Sequence, residues 1–482
     1  MSDTTRRINP TVVSRRFSRR LALVGLGLPV AAGLLAACGG PTASPTAAPG
    51  KPAESKPAAE PTKPAAPAAA TKPAATPAAA APAKAGAAAE ISLATDWTEG
   101  ARGETMKQAV PAFEKQNAKY KLKVEPIGGD YYDKLSVQIA GGTAADVMLF
   151  SGAFFLNFQQ KGAFADITPL VKALNVDLTR FTSVPKVFEA EGKQYGMPFQ
   201  LTITTWYANV DMFEKAGVAL PKEGWTWDDF LETAKKLTKP EEKQYGMFMT
   251  NSAESRWGPL MLSAGGNWFN KDHTKTAFAD GEGFEGFKFA VELVTKHKVT
   301  PTPAEAKALA APNTSDLFAA GRTAMTAANS GAVGSLTNLV KDRFRWQPIP
   351  QPVSPKNGRM RTTFNDQPHV INARAKDVDG AVALAVFMSG EFVQGLIAAQ
   401  RGSTPVLRSL QTSEAYLKSP PANMQQIGKN LEKAEDLNFT ANWLEWWRAF
   451  HAETDKAFIG EATPEDAFKK AIEAGDKVLA KK

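Results

Sequence analysis

Apolar positions fall into three regimes along the chain. Leu21–Ala37 is a continuous apolar run without a charge. Residues 38–90 show no apolar period and no aromatic residue, but contain 11 Pro in 53 residues. From Ile91 onward, short apolar or alternating runs trade places with stretches of period 3.6, the pattern of an α/β fold. Ile91–Thr95 and Val147–Phe150 read as strands, the second buried on both faces because it is apolar throughout. Tyr120–Ile127 alternates imperfectly around Pro126. Gly196–Asn209 is a long extended run rich in Thr and aromatic residues. Tyr245–Thr250 and Thr323–Ala328 read as further strands. Glu104–Gln116 puts Met106, Val110 and Phe113 on one helical face, and Pro111 predicts a kink or a false boundary. Tyr132–Ala140 is a helix stopped by Gly141-Gly142. Thr226 predicts an N-cap ahead of Trp227-Asp228-Asp229, which places acids at the positive end of a helix. Gly283–His297, the pair Ala381–Met388 and Glu391–Ala399, and the closing helices Asn442–Ile459 and Pro464–Leu479 complete the pattern. No repeat of fixed period is present.

Composition changes this picture mainly at the N-terminus. The 482 residues suit two or three domains and a large core. A formal charge of +8 raises the prospect of a nucleic-acid or acidic partner. Six Arg less Asp3 give residues 1–37 a charge of +5, and residues 38–90 carry +2, which leaves +1 for residues 91–482. The basicity therefore lies outside the folded region, and no nucleic acid is expected as a partner. A single Cys excludes an intrachain disulfide, and four scattered His argue against a metal site. No metal or other cofactor is expected.

A basic start, an apolar run and small residues before a cut site describe a secretory signal over 1–37. The lone Cys38 follows Leu35-Ala36-Ala37 directly. This resembles the bacterial lipobox, in which that cysteine is acylated and becomes the first residue of the mature chain. The other reading is a buried thiol beside an uncleaved anchor. Arg15-Arg16 and Arg19-Arg20 resemble a twin-arginine export signal, although Ser18 departs from its pattern; an ordinary basic leader is the alternative. The Pro/Ala-rich segment 38–90 cannot bury enough apolar area to order itself and reads as a disordered spacer, stiffened by proline.

Four stretches carry a wider resemblance: 113–150, 195–237, 318–336 and 381–406. They include KVEPIGGDYYDKL, AADVMLF, WYANVDMFEKAG, WTWDDFLETAKKL, FAAGRTAM and AAQRGSTPV. In this order and spacing the chain resembles the family-1 extracellular solute-binding proteins of ABC importers. The resemblance implies a two-lobe periplasmic-binding-protein-like α/β fold of type II, with hinge crossovers and a ligand cleft. Crossovers are expected near Thr202–Trp206, Asn365–His369 and Leu407–Leu410. The N-lobe would span 91–203 and 368–408, and the C-lobe 206–365 and 411–482.

The resemblance also directs attention to strand ends, where such a cleft pairs aromatic platforms with hydroxyl-binding polar groups. Asp96, Trp97 and Glu99 follow the first strand. Ser151 and Gly152 follow Val147–Phe150. Thr202, Thr204 and Trp206 lie on the expected hinge. Asn251, Arg256 and Trp257 follow Tyr245–Thr250, with Glu254 between them and Trp268 beyond. Asn329 and Gly331 follow Thr323–Ala328, with glycine where the maltose-binding member of the family has an aromatic. Asn365 and Asp366 sit at the second crossover, and Trp443 near the C-terminal stacking position. Asp146, Trp225 and Trp227 read as structural. Gly281–Gly286 spells G-x-G-x-x-G without a strand before it and reads as a turn into a helix.

The function implied is a monomeric receptor that captures a mono- or oligosaccharide and hands it to a permease. It would be exported, tethered by lipid on Cys38 to the outer face of the cell membrane, and free of catalysis. A non-sugar solute is the first alternative, such as glycerol-phosphate held by Arg102 and Arg256, or a polyamine. A surface carbohydrate-active enzyme is the second, but no pair among Asp96, Glu99, Glu254 and Asp366 is singled out for hydrolysis.

Overall fold

A computed structural model describes residues 88–182, 188–310, 316–437 and 439–481. The export signal, Cys38 and nearly all of the spacer lie outside the described residues. Eleven strands are described, in chain order β1 (Ala89–Thr95), β2 (Tyr120–Pro126), β3 (Val147–Leu149), β4 (Glu189–Ala190), β5 (Lys193–Gln194), β6 (Gly196–Asn209), β7 (Tyr245–Phe248), β8 (Thr323–Asn329), β9 (Trp346–Ile349), β10 (Thr362–Ile371) and β11 (Ala434–Asp436). β4 and β5 form a small hairpin. The other nine join one mixed sheet, in the order β2-β1-β3-β10-β6-β8-β7, with β11 on β10 and β9 on β6.

Two long strands organise this sheet. The first part of β6, Gly196 to Ile203, pairs antiparallel with β10. Its last part pairs with β8 on one side and β9 on the other. The end of β10 continues to β3. A register shift between Gln367 and Pro368 interrupts the β6–β10 ladder, as bulges do where a strand must turn. The two expected crossovers at Thr202–Trp206 and Asn365–His369 therefore fall on the two strands that both halves of the sheet share. β1, β2 and β3 run parallel. Ser92 and Asp146 lock β1 to the turn before β3, with the Ser92 hydroxyl and amide both donating to the Asp146 carboxylate at 2.7 and 2.9 Å.

Most elements follow the apolar pattern closely. The Thr226 N-cap is present, and Asp229 completes a capping box with it. The helix Gly100–Gln116 runs through Pro111 without ending. Pro111 and Lys107, whose carbonyl loses its helical donor there, are both exposed residues. Gly281 has φ +55° and turns the chain into the helix Gly283–Thr295, with its added Cβ only 3.2 Å from the Gly265 carbonyl. No phosphate loop is formed.

The short helices beyond 411 pack on residues of both expected lobes. Tyr416, Met424 and Ile427 join the core of Ile91, Leu201, Ile397 and Leu407, not that of Trp257 and Phe278. Their core also holds Tyr207, Leu336 and Trp346, and Asn423 donates to the Pro348 carbonyl at 2.9 Å. The Tyr416 hydroxyl lies 2.8 Å from Thr404 Oγ1.

Candidate ligand-binding cleft

The floor of the candidate cleft is a polar row across β8, β6 and β10. Register sets Asn329 against Thr204, and Thr202 and Leu201 against Asn365 and Asp366. The Thr204 and Thr363 hydroxyls are 3.2 Å apart, and both donate to the Glu254 carbonyl, at 3.3 and 3.0 Å. The Thr202 hydroxyl donates to the Asn365 carbonyl at 3.4 Å. Asn365 Oδ1 is buried with no partner among the described residues. An acceptor left so costs about 1–3 kcal/mol, which a ligand donor would recover.

One wall comes from the ends of β1 and β3. Asp96 is exposed and pairs with Arg102 at 3.3 Å. Arg102 also donates from Nε to the Gly402 carbonyl at 3.2 Å and lies 5.4 Å over the Trp97 ring. Burial pulls the Arg102 pKa down, and the Asp96 charge opposes that. A Cβ on Gly331 would stand 3.6 Å from Arg102 and 3.2 Å from the Gly402 carbonyl. Glycine there keeps this corner open without offering a ring. Glu99 is exposed just before the helix Gly100–Gln116 and makes no side-chain cap. Ser151 accepts from the Ala153 amide at 3.2 Å and so caps the helix Gly152–Gln160.

The other wall follows β7, and most of its nominated residues are committed to structure. Asn251 donates to Thr454 Oγ1 and Asp455 Oδ1 at 2.9 and 2.7 Å, and accepts from Trp257 Nε1 at 3.0 Å. Arg256 donates to the Phe248 carbonyl and Thr326 Oγ1 at 2.8 and 2.6 Å. Burial draws its pKa down to about 10. Glu254 is partly buried, and desolvation pushes its carboxyl up to about 7.

The expected tryptophan platforms are all packed away. Trp97, Trp206 and Trp257 are fully buried, and Trp268 and Trp443 keep 4% and 2% of their surface. Trp97 packs 4.7 Å from Phe199 in the core beneath β1. Trp206 meets Trp225 and Phe230 edge-on, and Trp257 sits among Phe278, Phe287 and Phe450. Trp268 and Trp443 contact each other at 5.9 Å. None presents a ring face to a ligand, because each fills a core.

A partly buried aromatic pair that the sequence pattern does not single out borders a cavity instead. Tyr132 and Phe154 stack at 4.1 Å and line a cavity of about 560 Å³. Asn157, Phe158 and the exposed Arg448 also line it. The Tyr132 hydroxyl lies beside Ser151, so the pair joins this cavity to the β1–β3 wall. Burial and the Asp96 charge raise the Tyr132 pKa and keep it a neutral donor. Tyr131 holds the wall itself, donating to the Ala94 and Leu149 carbonyls at 3.1 and 2.8 Å. The signal for Tyr132 was available: GGDYYD directly after a strand puts an aromatic at a helix start. Across the cavity, Asn157 Nδ2 donates to the Ala441 carbonyl at 3.0 Å. A Cβ on Gly152 would meet the Phe439 ring at 3.4 Å.

A sheet carried by two shared strands, with polar strand ends converging on their junction, is the architecture of a solute-binding receptor. The bacterial extracellular solute-binding protein family matches residues 97–394, and the chain belongs to that family. It is 27% identical to an ABC substrate-binding protein from Listeria monocytogenes solved in complex with cycloalternan, with a TM-score of 0.74 over 82% of this chain and 100% of that one. It is 26% identical to the arabinooligosaccharide-binding protein of Bacillus subtilis over 45% of this chain and 51% of the relative. It is 25% identical to the mannitol-binding protein of Pseudomonas aeruginosa over 50% and 56%. These relatives are binding proteins and not enzymes.

Proposed function

We propose that the chain is the solute receptor of an ABC importer and captures a sugar at the β6–β10 junction for delivery to a membrane permease. The observation that carries this reading is the distribution of cations. Arg102 is engaged by Asp96 and the Gly402 carbonyl, and Arg256 by Phe248 and Thr326. Neither is left to fork onto a phosphate at the junction itself; Arg448 lines the neighbouring cavity and not the junction. What remains at the junction are the hydroxyls of Thr202, Thr204 and Thr363, Asn329, Asn365 and a neutral tyrosine, a set suited to sugar hydroxyls. Sugars are also named as the ligands of the relatives. The ligand-binding residues we assign are therefore Asp96, Tyr132, Ser151, Thr202, Thr204, Asn329, Asn365 and Asp366.

Export and attachment by lipid on Cys38 complete the proposal, in keeping with the extracellular family. The receptor then acts as a monomer, held on its spacer near the permease. A panel of mono- and oligosaccharides, glycerol-phosphate and spermidine titrated into the purified chain by calorimetry tests the ligand class. A sugar response is expected. Heat from the phosphate or polyamine alone, with none from any sugar, would overturn the assignment. Replacing Cys38→Ser is expected to release the chain from the membrane fraction without changing binding.

A further inference from the structure

Glu254 is the acid at the junction whose surroundings the sugar reading does not account for. Its backbone is pinned to the cleft floor, because its carbonyl accepts from the Thr204 and Thr363 hydroxyls at 3.3 and 3.0 Å. It belongs to the short turn Ala253–Trp257, just past the end of β7. No hydrogen bond or ion pair reaches its carboxyl among the described residues, and no neighbouring charge contributes to its shift to about 7, which is due to burial.

The charged groups around this turn are each directed elsewhere. Arg256 on the same turn serves Phe248 and Thr326 from β8, with Asp316 as its charge partner. Asp366 on β10 has its own interaction, and Asp455 of the helix Trp443–Phe458 accepts from Asn251. The helix Gly258–Ser263 packed behind the turn carries no charge. On the helix Gly283–Thr295, Lys288 pairs with Glu465, and Glu292 with Lys296 and His297. From the opposite wall, Arg102 is taken by Asp96. Among the described residues the Glu254 carboxyl at the junction thus has no counter-ion.

Burying an ionised carboxylate without a partner is costly, and a neutral hydroxyl compensates it less well than a cation does. We infer that Glu254 is a specificity-determining residue of the cleft, which favours a saccharide bearing a basic nitrogen over its neutral counterpart. The inference rests on the sugar reading and narrows its substrate class. A protonated amine seated at Glu254 would form a charge-assisted hydrogen bond, while Thr204 and Thr363 hold the backbone of the turn that carries it.

The test is calorimetry on the full chain with three probes: maltotriose, the glucosamine trimer and spermidine. At pH 7.5 the glucosamine trimer is expected to bind at least tenfold more tightly than maltotriose. Glu254→Gln keeps the shape and removes the charge. It should abolish that preference, weakening the glucosamine trimer at least tenfold and maltotriose by less than threefold. Lowering the pH to 5.5 leaves the amine charged but protonates Glu254, and should cost wild-type affinity for the glucosamine trimer at least tenfold. Equal wild-type affinity for both sugars, or a preference that survives Glu254→Gln, overturns the inference and leaves the sugar reading standing. Spermidine binding with no response to either sugar overturns the inference, and together with silence across the wider sugar panel it overturns the sugar reading too. Circular dichroism and the thermal midpoint of Glu254→Gln verify that the variant is folded. If it is not, the pH 5.5 comparison on the wild type decides.

Discussion

Single side chains in this molecule carry opposite dependences on pH. His369 on β10 is fully buried against Phe199 at 4.1 Å, with neither ring nitrogen partnered among the described residues. Burial draws its pKa down to about 3. Below about pH 6.5 the unfolded chain takes up a proton that the folded chain refuses. Stability then falls by about 1.4 kcal/mol per pH unit until the folded pKa is reached. His369→Phe, measured by urea unfolding against wild type, should therefore gain relative stability steadily from pH 6.5 down to 4. Glu254 has the reverse sign. Its folded pKa is raised to about 7, so wild type loses stability as pH climbs from about 4.5 to 7. Glu254→Gln should remove that loss. The buried rings test a different point. Trp97→Ala deletes a fully buried indole from the core and is expected to cost about 3–5 kcal/mol. Tyr132→Ala should cost far less stability and yet weaken ligand binding, since its ring borders the cavity. A Trp97 variant that stays stable while losing ligand would reverse this division. The sequence could not make the distinction, because an aromatic after a strand faces either the core beneath it or the cleft beyond it. Both placements share one spacing.

Elements were legible wherever the apolar period was strong. The 14-residue strand β6 and the helix Pro464–Leu479 match their predicted bounds. The capping box at Thr226 follows from two residue types three positions apart, with Thr226 Oγ1 accepting from the Asp229 amide at 3.2 Å. Thr226→Ala should lower stability by about 1 kcal/mol, read as a shift in the urea midpoint at unchanged slope. The helix Gly152–Gln160 was missed, and with it Phe154. Its sequence, GAFFLNFQQ, has no polar face of helical period, because one side packs on the core and another lines the cavity. The start of the helix is written in Ser151, whose hydroxyl caps it. A cap read together with the apolar run would have placed the helix and brought its first turn to the cleft. The segment after 411 is less legible for a related reason. Its short helices carry too little period to reveal which core they join, and they touch both sides, Tyr416 at Thr404 and Asn423 at the Pro348 carbonyl.

The behaviour of the whole molecule turns on how the helix Gly152–Gln160 meets the helix Trp443–Phe458. They stand on opposite sides of the cavity and are tied by Asn157 to the Ala441 carbonyl. Near that tie, Gly152 leaves 3.4 Å between an added Cβ and the Phe439 ring. A ligand that fills the cavity gains most when this contact is closed, so its affinity includes the free energy of closing. Gly152→Ala adds only an ordinary contact and should change little. Gly152→Leu would push its branched end into Phe439, which belongs to the core around Trp443, and so hold the two helices apart at a cost to that core. An open state favoured tenfold more than in wild type lowers apparent affinity about tenfold. The expected result is thus a loss of affinity of at least that size, with a lowered unfolding midpoint and binding read at a temperature where circular dichroism shows the variant folded. Small-angle scattering supplies the independent readout. Wild type should contract when its sugar is added, and Gly152→Leu should remain extended at the same ligand concentration. Asn157→Ala probes the same closure more gently. It removes one hydrogen bond worth about 1 kcal/mol, which corresponds to roughly a fivefold shift in the closing equilibrium. Gly152→Leu binding as tightly as wild type would show that the ligand is held without this closure. The polar row on β6 and β10 would then have to supply the affinity alone.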